Sequence, residues 1–521
     1  MLFSDWFGDI KEGVKMKNDN KITKIKRQGC KYCLFLFSIC FLSAVFCSLL
    51  LIDKAEANNL AVSAVSLGNV SLGQVTAKVQ FNISWDNSWR TTTNYDAAWV
   101  FIKYSTNAGA SWNHAKLKTS GTNPAGFSQG SGTALDIIVP ADKTGAFLQR
   151  SANGSGSVST SSIQFVWDYG ANGVISTSTV RVEVFAIEMV YIPTNAFYVG
   201  SGGTETSPFY TYPTTTNAYL ISSENAINVG ATSGYLYYAS GANTGDAAGP
   251  IPAAFPKGYA AFYMMKYDIS QGQYADFLNN LTSTQASTRN PAQTTYRYTI
   301  TGTYPNFSAS RPDRACNWLS WADLIAYAYW SALRPMTELE FEKAARGVSV
   351  PTPNEYAWGN TTIAAAATIS GAENGTETIT TTSANSNYGS TTFSGGDAGQ
   401  GPLRCGIFAT GSSTRVTSGA GYYGVMDLSG NLWKRPVTVG NATGRAFIGS
   451  HGNGVLNGTG DADLTVVTDW PPPSTALGTG CRGGNWNDVA TNARTSDRYY
   501  AAHTYPSRSS LYGGRAVRTS P

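Results

Sequence analysis

The stretch RPMTELEFEKAARG, at residues 334–347, carries the strongest local structural signal in the chain. Thr337 and Glu340 stand at the spacing of a capping box, in which each side chain accepts a hydrogen bond from the other residue's backbone N–H. Phe341 opens an apolar stripe at helical spacing, and Gly347 provides a natural end to the helix. The stretch therefore predicts a short helix that packs one face against a core.

Two earlier segments carry the same signature and predict two more short helices. Ser270 with Gln273, and Ser320 with Asp323, stand three residues apart ahead of apolar residues at helical spacing. Long segments lie around these helices, and loops of such length are uncommon unless they carry function. They are residues 201–255, 361–400 and 450–480. We therefore expect a mixed domain with few helices and many loops from Met189 onward.

The region before Met189 has a different sequence pattern, typical of β-strands. Val79, Phe81 and Ile83 recur at a period of two, and residues 98–104 read as a buried strand. Clusters of Gly, Asn and Ser separate such segments, and no helical pattern interrupts them. This spacing predicts an all-β sandwich domain. We assign it to residues 58–188 and the α+β domain to residues 189–521.

The first 57 residues read as a targeting segment. Basic residues precede an apolar run at residues 33–52, and the small residues Ala55 and Ala57 then offer a cleavage site. Residues 1–57 are therefore predicted to be a signal peptide, with Met16 as an alternative start. The apolar run is also long enough to span a bilayer, so an N-terminal membrane anchor is the alternative. Either interpretation predicts a secreted or cell-surface protein.

Composition and charge indicate which classes of binding partner the protein is expected to have. Charged residues are only 13% of the 521 residues, about half the share usual in globular proteins. Removal of residues 1–57 takes away nine basic and six acidic residues and leaves a net charge of +1. We therefore expect no nucleic-acid partner. Cys316, Cys405 and Cys481 remain, which permits one disulfide at most and leaves its pairing open.

Several motifs occur in an order that characterises a known family. They are MVYIP at residues 189–193, KYDIS at 266–270, the 334–347 stretch, YGVMDLSGNLW at 423–433 and RGGNW at 482–486. In these motifs the chain resembles the formylglycine-generating enzyme, or sulfatase-modifying factor, family. The resemblance implies a C-type-lectin-like α+β fold for residues 189–521. The β region that precedes it lies outside the resemblance.

The resemblance also implies a metal chemistry that this chain does not repeat. The family's oxidase binds copper(I) through two cysteines that follow the RGGNW-like strand, and copper(I) requires soft thiolates. The matching positions are Asp488 and Ala493. We therefore expect no copper and no oxidase activity. The family's structural calcium sites map to Asn385 and to the turn that contains Asn431, but the family's Glu in that turn is Lys434 here.

The segment after RGGNW carries the candidate binding residues. Its framework positions fit the family, and the positions between them resemble the variable region of diversity-generating-retroelement proteins, which display ligand-binding residues on this fold. Tyr is an efficient binding side chain because it combines a large rigid ring with a hydrogen-bonding hydroxyl. The candidate residues are Asn487, Asp488, Tyr499, Tyr500, His503, Tyr505 and Arg508.

These observations favour one function and leave two alternatives open. The leading hypothesis is a non-catalytic binding protein at the cell surface or outside the cell, with an unknown protein or glycan as ligand. The first alternative is a sulfatase-modifying oxidase of the formylglycine-generating type. The second is a structural subunit of a surface layer or extracellular filament, since low charge with abundant Gly, Thr and Asn suits self-assembly.

Overall fold

The computed structural model describes residues 57–521, which belong to one compact unit. The predicted signal or anchor segment lies outside the described residues except for Ala57. Within residues 57–521, none of the helices combines the length and apolar character that crossing a bilayer requires. The described chain is a sheet-rich α+β protein with short helices.

The strands are numbered in chain order. They are β1 (Ala61–Ser71), β2 (Thr76–Arg90), β3 (Asp96–Ser105), β4 (Asn113–His114), β5 (Gly121–Thr122), β6 (Ser131–Gly132), β7 (Leu135–Val139), β8 (Ala146–Arg150), β9 (Gly154–Trp167), β10 (Arg181–Ile192), β11 (Phe197–Val199), β12 (Tyr210–Thr211), β13 (Tyr219–Ile221), β14 (Leu236–Tyr237), β15 (Phe262–Met265), β16 (Ile300–Thr301), β17 (Ser308–Ala309), β18 (Arg334–Pro335), β19 (Ile369–Ser370), β20 (Thr378–Ile379) and β21 (Ala516–Thr519). The α-helices are α1 (Gln271–Asn279), α2 (Ser283–Arg289), α3 (Trp321–Trp330), α4 (Glu338–Arg346), α5 (Arg415–Ser418) and α6 (Ala442–Arg445). Short 3₁₀ helices lie at Ala57–Asn59 and Ala490–Ala493.

Two antiparallel sheets share an apolar core in the first part of the chain. One sheet has the order β1-β2-β9-β6, and the other begins β5-β7-β8-β3-β10. Val79, Phe81 and Ile83 alternate inward along β2, which confirms the predicted period of two. They pack in one cluster with Val100 and Ile102 of β3, and every residue of β3 is buried.

Strand β10 continues the second sheet into the later part of the chain. It pairs with β3 from Arg181 to Val190 and with β15 from Met189 to Ile192. The expected boundary between residues 188 and 189 falls inside this strand, so a single nine-stranded sheet runs through both regions.

The continued sheet has a core on each face. Successive residues of β15 alternate, because side chains in a strand point to opposite faces. Tyr263 and Met265 join the aromatic core that surrounds α1 and α3. Phe262 and Met264 join a second core against α4.

The three predicted capping boxes are confirmed, and they begin α1, α3 and α4. In α1, the Ser270 hydroxyl accepts from the backbone N–H of Gln273 at 3.1 Å, and the Gln273 side chain accepts from Ser270 N–H at 3.1 Å. Two further boxes begin α2 and α5, and the sequence pattern does not predict them because no apolar stripe follows either one. They pair Thr282 with Gln285 and Thr414 with Thr417.

Helix α4 is buried on every side, not on one face as predicted. Its carboxylates and Arg346 can be buried because opposite charges lie within reach, whereas Lys343 donates to two backbone carbonyls. Glu338 accepts from Arg482 at 2.9 Å and from Arg498 at 2.9 Å, and Glu342 accepts from Arg482 at 2.6 Å and from Arg346 at 3.0 Å. Burial would raise the pKa of Glu338, but Arg498 and Arg482 outweigh it and hold that pKa below its usual value. The helix thereby anchors the C-terminal segment.

Candidate binding surface

The candidate segment is held by two buried arginines. Arg482 and Arg498 are both 0% exposed and both bond to Glu338 of α4. The Arg498 guanidinium also lies between the rings of Phe209 and Tyr238, 4.1 Å from each centroid. Cation–π contacts of this kind add to the ion pair when the site is desolvated. These contacts therefore fix the position of the backbone from which the segment after Arg498 begins.

Four of the predicted residues form one continuous series of ring contacts. The ring centroids of Tyr499 and Tyr500 are 4.5 Å apart, those of Tyr500 and His503 are 5.1 Å apart, and those of His503 and Tyr505 are 5.9 Å apart. Tyr499 is 43% exposed and Tyr505 is 41% exposed. We call these four residues the aromatic surface.

Two buried aromatic residues support the aromatic surface from below, and sequence reasoning missed both as parts of the site. The Trp433 ring is 5.6 Å from the ring of Tyr500, and the Tyr512 ring is 5.7 Å from that of Tyr505. Trp433 is the last residue of the family motif at residues 423–433. A backbone bridge joins Trp433 to Tyr512, so this floor is tied together by the main chain.

A buried guanidinium lies under the same loop. The Nη2 of Arg435 donates to the backbone carbonyl of Tyr505 at 2.7 Å, and its guanidinium carbon is 4.8 Å from the ring centroid of Tyr512. Arg435 is 0% exposed, and burial lowers its pKa. This bond fixes the backbone that carries Tyr505.

The long loop at residues 201–255 borders the aromatic surface. The backbone carbonyl of Asn243 accepts from Ala502 N–H at 2.8 Å, and its side-chain oxygen lies 3.2 Å from Nδ1 of His503. Burial and the nearby Arg435 charge lower the pKa of His503, so its ring is neutral at pH 7. A neutral ring with a proton on Nδ1 satisfies the contact to Asn243.

Asp488 is held by two neighbouring amide side chains. Its carboxylate accepts from the side-chain amides of Asn485 at 2.5 Å and Asn492 at 2.9 Å. Burial raises the pKa of Asp488 to about 6. Burial, then the neighbouring Tyr499 and Asp488, raise the pKa of Tyr500. Asn487 is exposed and makes no ring contact.

Arg508 is engaged elsewhere. Its guanidinium binds both carboxylate oxygens of Asp323 at 2.7 and 2.9 Å, and it donates to the backbone carbonyls of Thr288 and Asn290 at 2.7 and 3.0 Å. These contacts tie the C-terminal loop to α2 and α3. The structure thus brings four of the seven predicted residues into contact, binds Asp488 to two neighbouring amides and binds Arg508 to α2 and α3.

The three described thiols are each buried and unpaired with another cysteine. Burial raises the pKa of Cys481 to about 11 and raises those of Cys316 and Cys405 well above the usual value. All three are therefore protonated thiols at neutral pH, and the thiolate is the form that binds metals. Among residues 57–521, no group of three or more His, Cys, Asp or Glu side chains is arranged to hold a metal ion.

The two positions of the implied calcium sites are filled by protein hydrogen bonds. The Asn385 side-chain oxygen accepts from Ala364 N–H at 3.0 Å. The Asn431 side-chain oxygen accepts from Leu403 N–H at 2.9 Å and from the Asn387 amide at 3.1 Å. An amide oxygen has two lone pairs, so Asn431 has none left for a cation. The residues at Asn431 therefore do not fit a calcium site.

The chain is similar to one protein of known structure and matches one family model. Among solved structures, the Treponema denticola variable protein 1 is similar at 13% sequence identity, with 64% of this chain and 96% of that chain covered and a TM-score of 0.33. No curated protein matches the chain. The model of the sulfatase-modifying factor enzyme 1-like domain matches residues 230–519, which is more than half of the chain and includes α1, α4 and the candidate surface. The chain belongs to the sulfatase-modifying factor enzyme 1-like domain family.

Proposed function

We propose that this protein is a secreted or cell-surface binding protein without catalytic activity, and that the aromatic surface binds a protein or glycan ligand. The observation that carries the proposal is the continuous series of ring contacts from Tyr499 to Tyr505, with its two outer tyrosines about two-fifths exposed. Rings that already touch each other lose little conformational freedom when a ligand binds.

The chemistry of the aromatic surface suits a neutral or weakly polar ligand. Tyrosine rings offer apolar faces, and their hydroxyl groups offer hydrogen bonds. The floor of Trp433, Tyr512 and Arg435 holds the rings and their backbone in place. Such support from behind is what a binding site needs to stay in its productive geometry.

The non-catalytic part of the proposal rests on the residues at the family's catalytic positions. Position 488 carries an Asp whose carboxylate is occupied by two amides, and position 493 carries a buried Ala. Neither can replace a thiolate as a ligand of copper(I). Copper-dependent oxidation of a cysteine-containing sulfatase peptide by the purified protein would overturn this part.

We further propose that the family domain has the C-type-lectin-like fold and that the preceding β region is a sandwich that serves as a spacer or dock. Two sheets that share one apolar core support the sandwich. The nine-stranded sheet that β10 carries across the region supports a rigid connection.

The proposal can be tested with a glycan array and a displayed peptide library as probes. Ligands selected with the full-length protein are measured against a variant with Tyr499→Ala, Tyr500→Ala and Tyr505→Ala. We expect binding to fall at least about tenfold, since rigid aromatic residues dominate such surfaces. Tyr296→Ala and Tyr422→Ala are matched controls, because these residues are 43% and 41% exposed and lie outside the aromatic surface. Ligands that bind the triple variant as well as the wild type would refute the assignment.

A further inference from the structure

The side chain of Lys434 is enclosed in the turn that the family resemblance associates with calcium. Lys434 is 0% exposed, and its ammonium donates to the backbone carbonyl of Gly430 at 2.5 Å. Its backbone is also fixed, since Lys434 and Arg482 exchange backbone hydrogen bonds at 3.2 and 2.9 Å. An ammonium without solvent contact requires acceptors and negative charge around it.

Two carboxylates supply that negative charge. Burial lowers the pKa of Lys434 to about 8; Asp268 and Asp427 raise it, and the positive charge of Arg515 lowers it. The amine is therefore protonated at pH 7. Asp268 also binds Arg515 at 2.8 and 3.0 Å. Asp427 accepts from the backbone N–H of Gly406 at 2.8 Å, so both carboxylates are held near Lys434 without an ion pair to its ammonium.

Two oxygens of this turn already accept hydrogen bonds from protein donors. The Gly430 carbonyl accepts from the Lys434 ammonium, and the Asn431 side-chain oxygen accepts from two N–H donors. Calcium binds through hard oxygen ligands, most strongly carboxylates. A positive side chain in contact with one of the turn's oxygens repels a second cation.

Two other lysines are held in the same way, independently of the family turn. The Lys343 ammonium donates to the backbone carbonyls of Gly258 at 2.5 Å and Tyr259 at 3.0 Å. The Lys257 ammonium is enclosed by three backbone carbonyls, of which that of Phe255 is 2.8 Å away. The chain thus repeatedly closes a loop with a tethered ammonium.

We infer that the Lys434 ammonium is a built-in cation that replaces calcium in the 430–434 turn, so that this turn needs no metal to fold. The inference does not depend on the proposed ligand-binding function. It implies that the 430–434 turn also folds where divalent cations are scarce.

The direct test is an anomalous diffraction map of wild-type crystals soaked in terbium chloride, a calcium substitute. We expect Lys434 Nζ on the Gly430 carbonyl and no terbium within 3 Å of that oxygen, roughly the longest reach of such a bond. A terbium peak at that oxygen would overturn the inference. The map uses the wild type alone, so it decides the question even where a variant does not fold.

A second test measures thermal unfolding of Lys434→Met in the full chain. We expect its Tm to fall by at least about 3 °C, because the Gly430 carbonyl loses its donor and the buried Asp268 and Asp427 lose a nearby positive charge. Lys118→Met is the matched control, since the side chain of Lys118 is 42% exposed and forms only a surface ion pair with Asp168. A Tm of Lys434→Met equal to that of the wild type would contradict the inference.

Discussion

Replacement of Arg498 by Met should reveal how strongly α4 holds the binding segment. The side chain of Met keeps most of the apolar stem of Arg498 but removes its bonds to Glu338 at 2.9 and 3.1 Å. It also removes the charge between the rings of Phe209 and Tyr238. Both partners of the ion pair are fully buried, so Glu338 is left with an uncompensated part of its charge.

Loss of one partner of a buried pair costs about 3–5 kcal/mol. Glu338 keeps Arg482, the Thr438 hydroxyl and Val439 N–H as donors, each at 2.9 Å. We therefore expect a loss near the lower end, about 3 kcal/mol in the free energy of unfolding. Urea unfolding followed by tryptophan fluorescence at pH 7 measures it, with the slope of free energy against urea as a check that the unfolded state is unchanged.

The pH dependence gives the same prediction a second readout. In the wild type the arginines hold the pKa of Glu338 below 4.5 despite its burial, so its contribution is present above pH 4.5 and is lost as the pH falls through the folded value. In Arg498→Met, one of the two arginine charges that lower the pKa of Glu338 is gone. Burial therefore raises that pKa further, and the Glu338 carboxyl group takes up a proton more readily. The difference between variant and wild type should therefore shrink between pH 7 and pH 5.

A double variant controls for packing. Arg498→Met combined with Glu338→Gln removes the carboxylate that Arg498 leaves without a partner, while Glu342 keeps Arg346 and Arg482, so the double variant should lose less stability than Arg498→Met alone. The reasoning is refuted by a loss below about 1 kcal/mol in the single variant, or by a double variant that is no more stable than the single one.

Three further predictions concern the binding segment and its surroundings. Burial raises the pKa of Asp488 to about 6, so the contribution of its protonated form to stability is complete below pH 4 and is lost as the pH rises through 6. The urea midpoint of Asp488→Asn should therefore vary less between pH 4 and pH 7 than that of the wild type. An unchanged pH profile would contradict this. Trp433→Ala should cost about 3–5 kcal/mol in the free energy of unfolding because it removes a ring that is 4% exposed, whereas a loss under about 1 kcal/mol would show that the floor is not packed. Iodoacetamide should leave Cys316, Cys405 and Cys481 unlabelled in the native protein at pH 7.5, because each thiol is buried and has a raised pKa. The same reagent should label all three after unfolding, as mapped by mass spectrometry. Labelling of any of them in the native state would refute their assignment as inert core residues.

The helix starts could be predicted because their signal is local. A capping box involves residues three positions apart, and Ser270 with Gln273 forms one wherever the chain begins a helix at that point. The strand pattern of β2 was equally local, because burial on one face of a sheet requires a period of two. The extent of burial around α4 was not predictable, because its partners Arg482 and Arg498 lie far away along the chain.

For the candidate surface too, the sequence indicates residue types, and the structure shows which side chains are in contact. The residue types at Tyr499, Tyr500 and Tyr505 indicated a binding role, but only the structure shows that their rings form one series. Arg508 was grouped with them because it is close in sequence, and the structure instead binds it to Asp323.

The sequence by itself determined the family motifs, the helix starts, the alternating strands and the absence of cysteine at positions 488 and 493. Each of these depends on residue identity or on neighbours a few positions apart. The tertiary structure decided which charges can be buried, which rings touch and which cation fills the turn at Gly430. These depend on distances between side chains brought together from remote parts of the chain, and a buried charge is stable only where the fold supplies its partner.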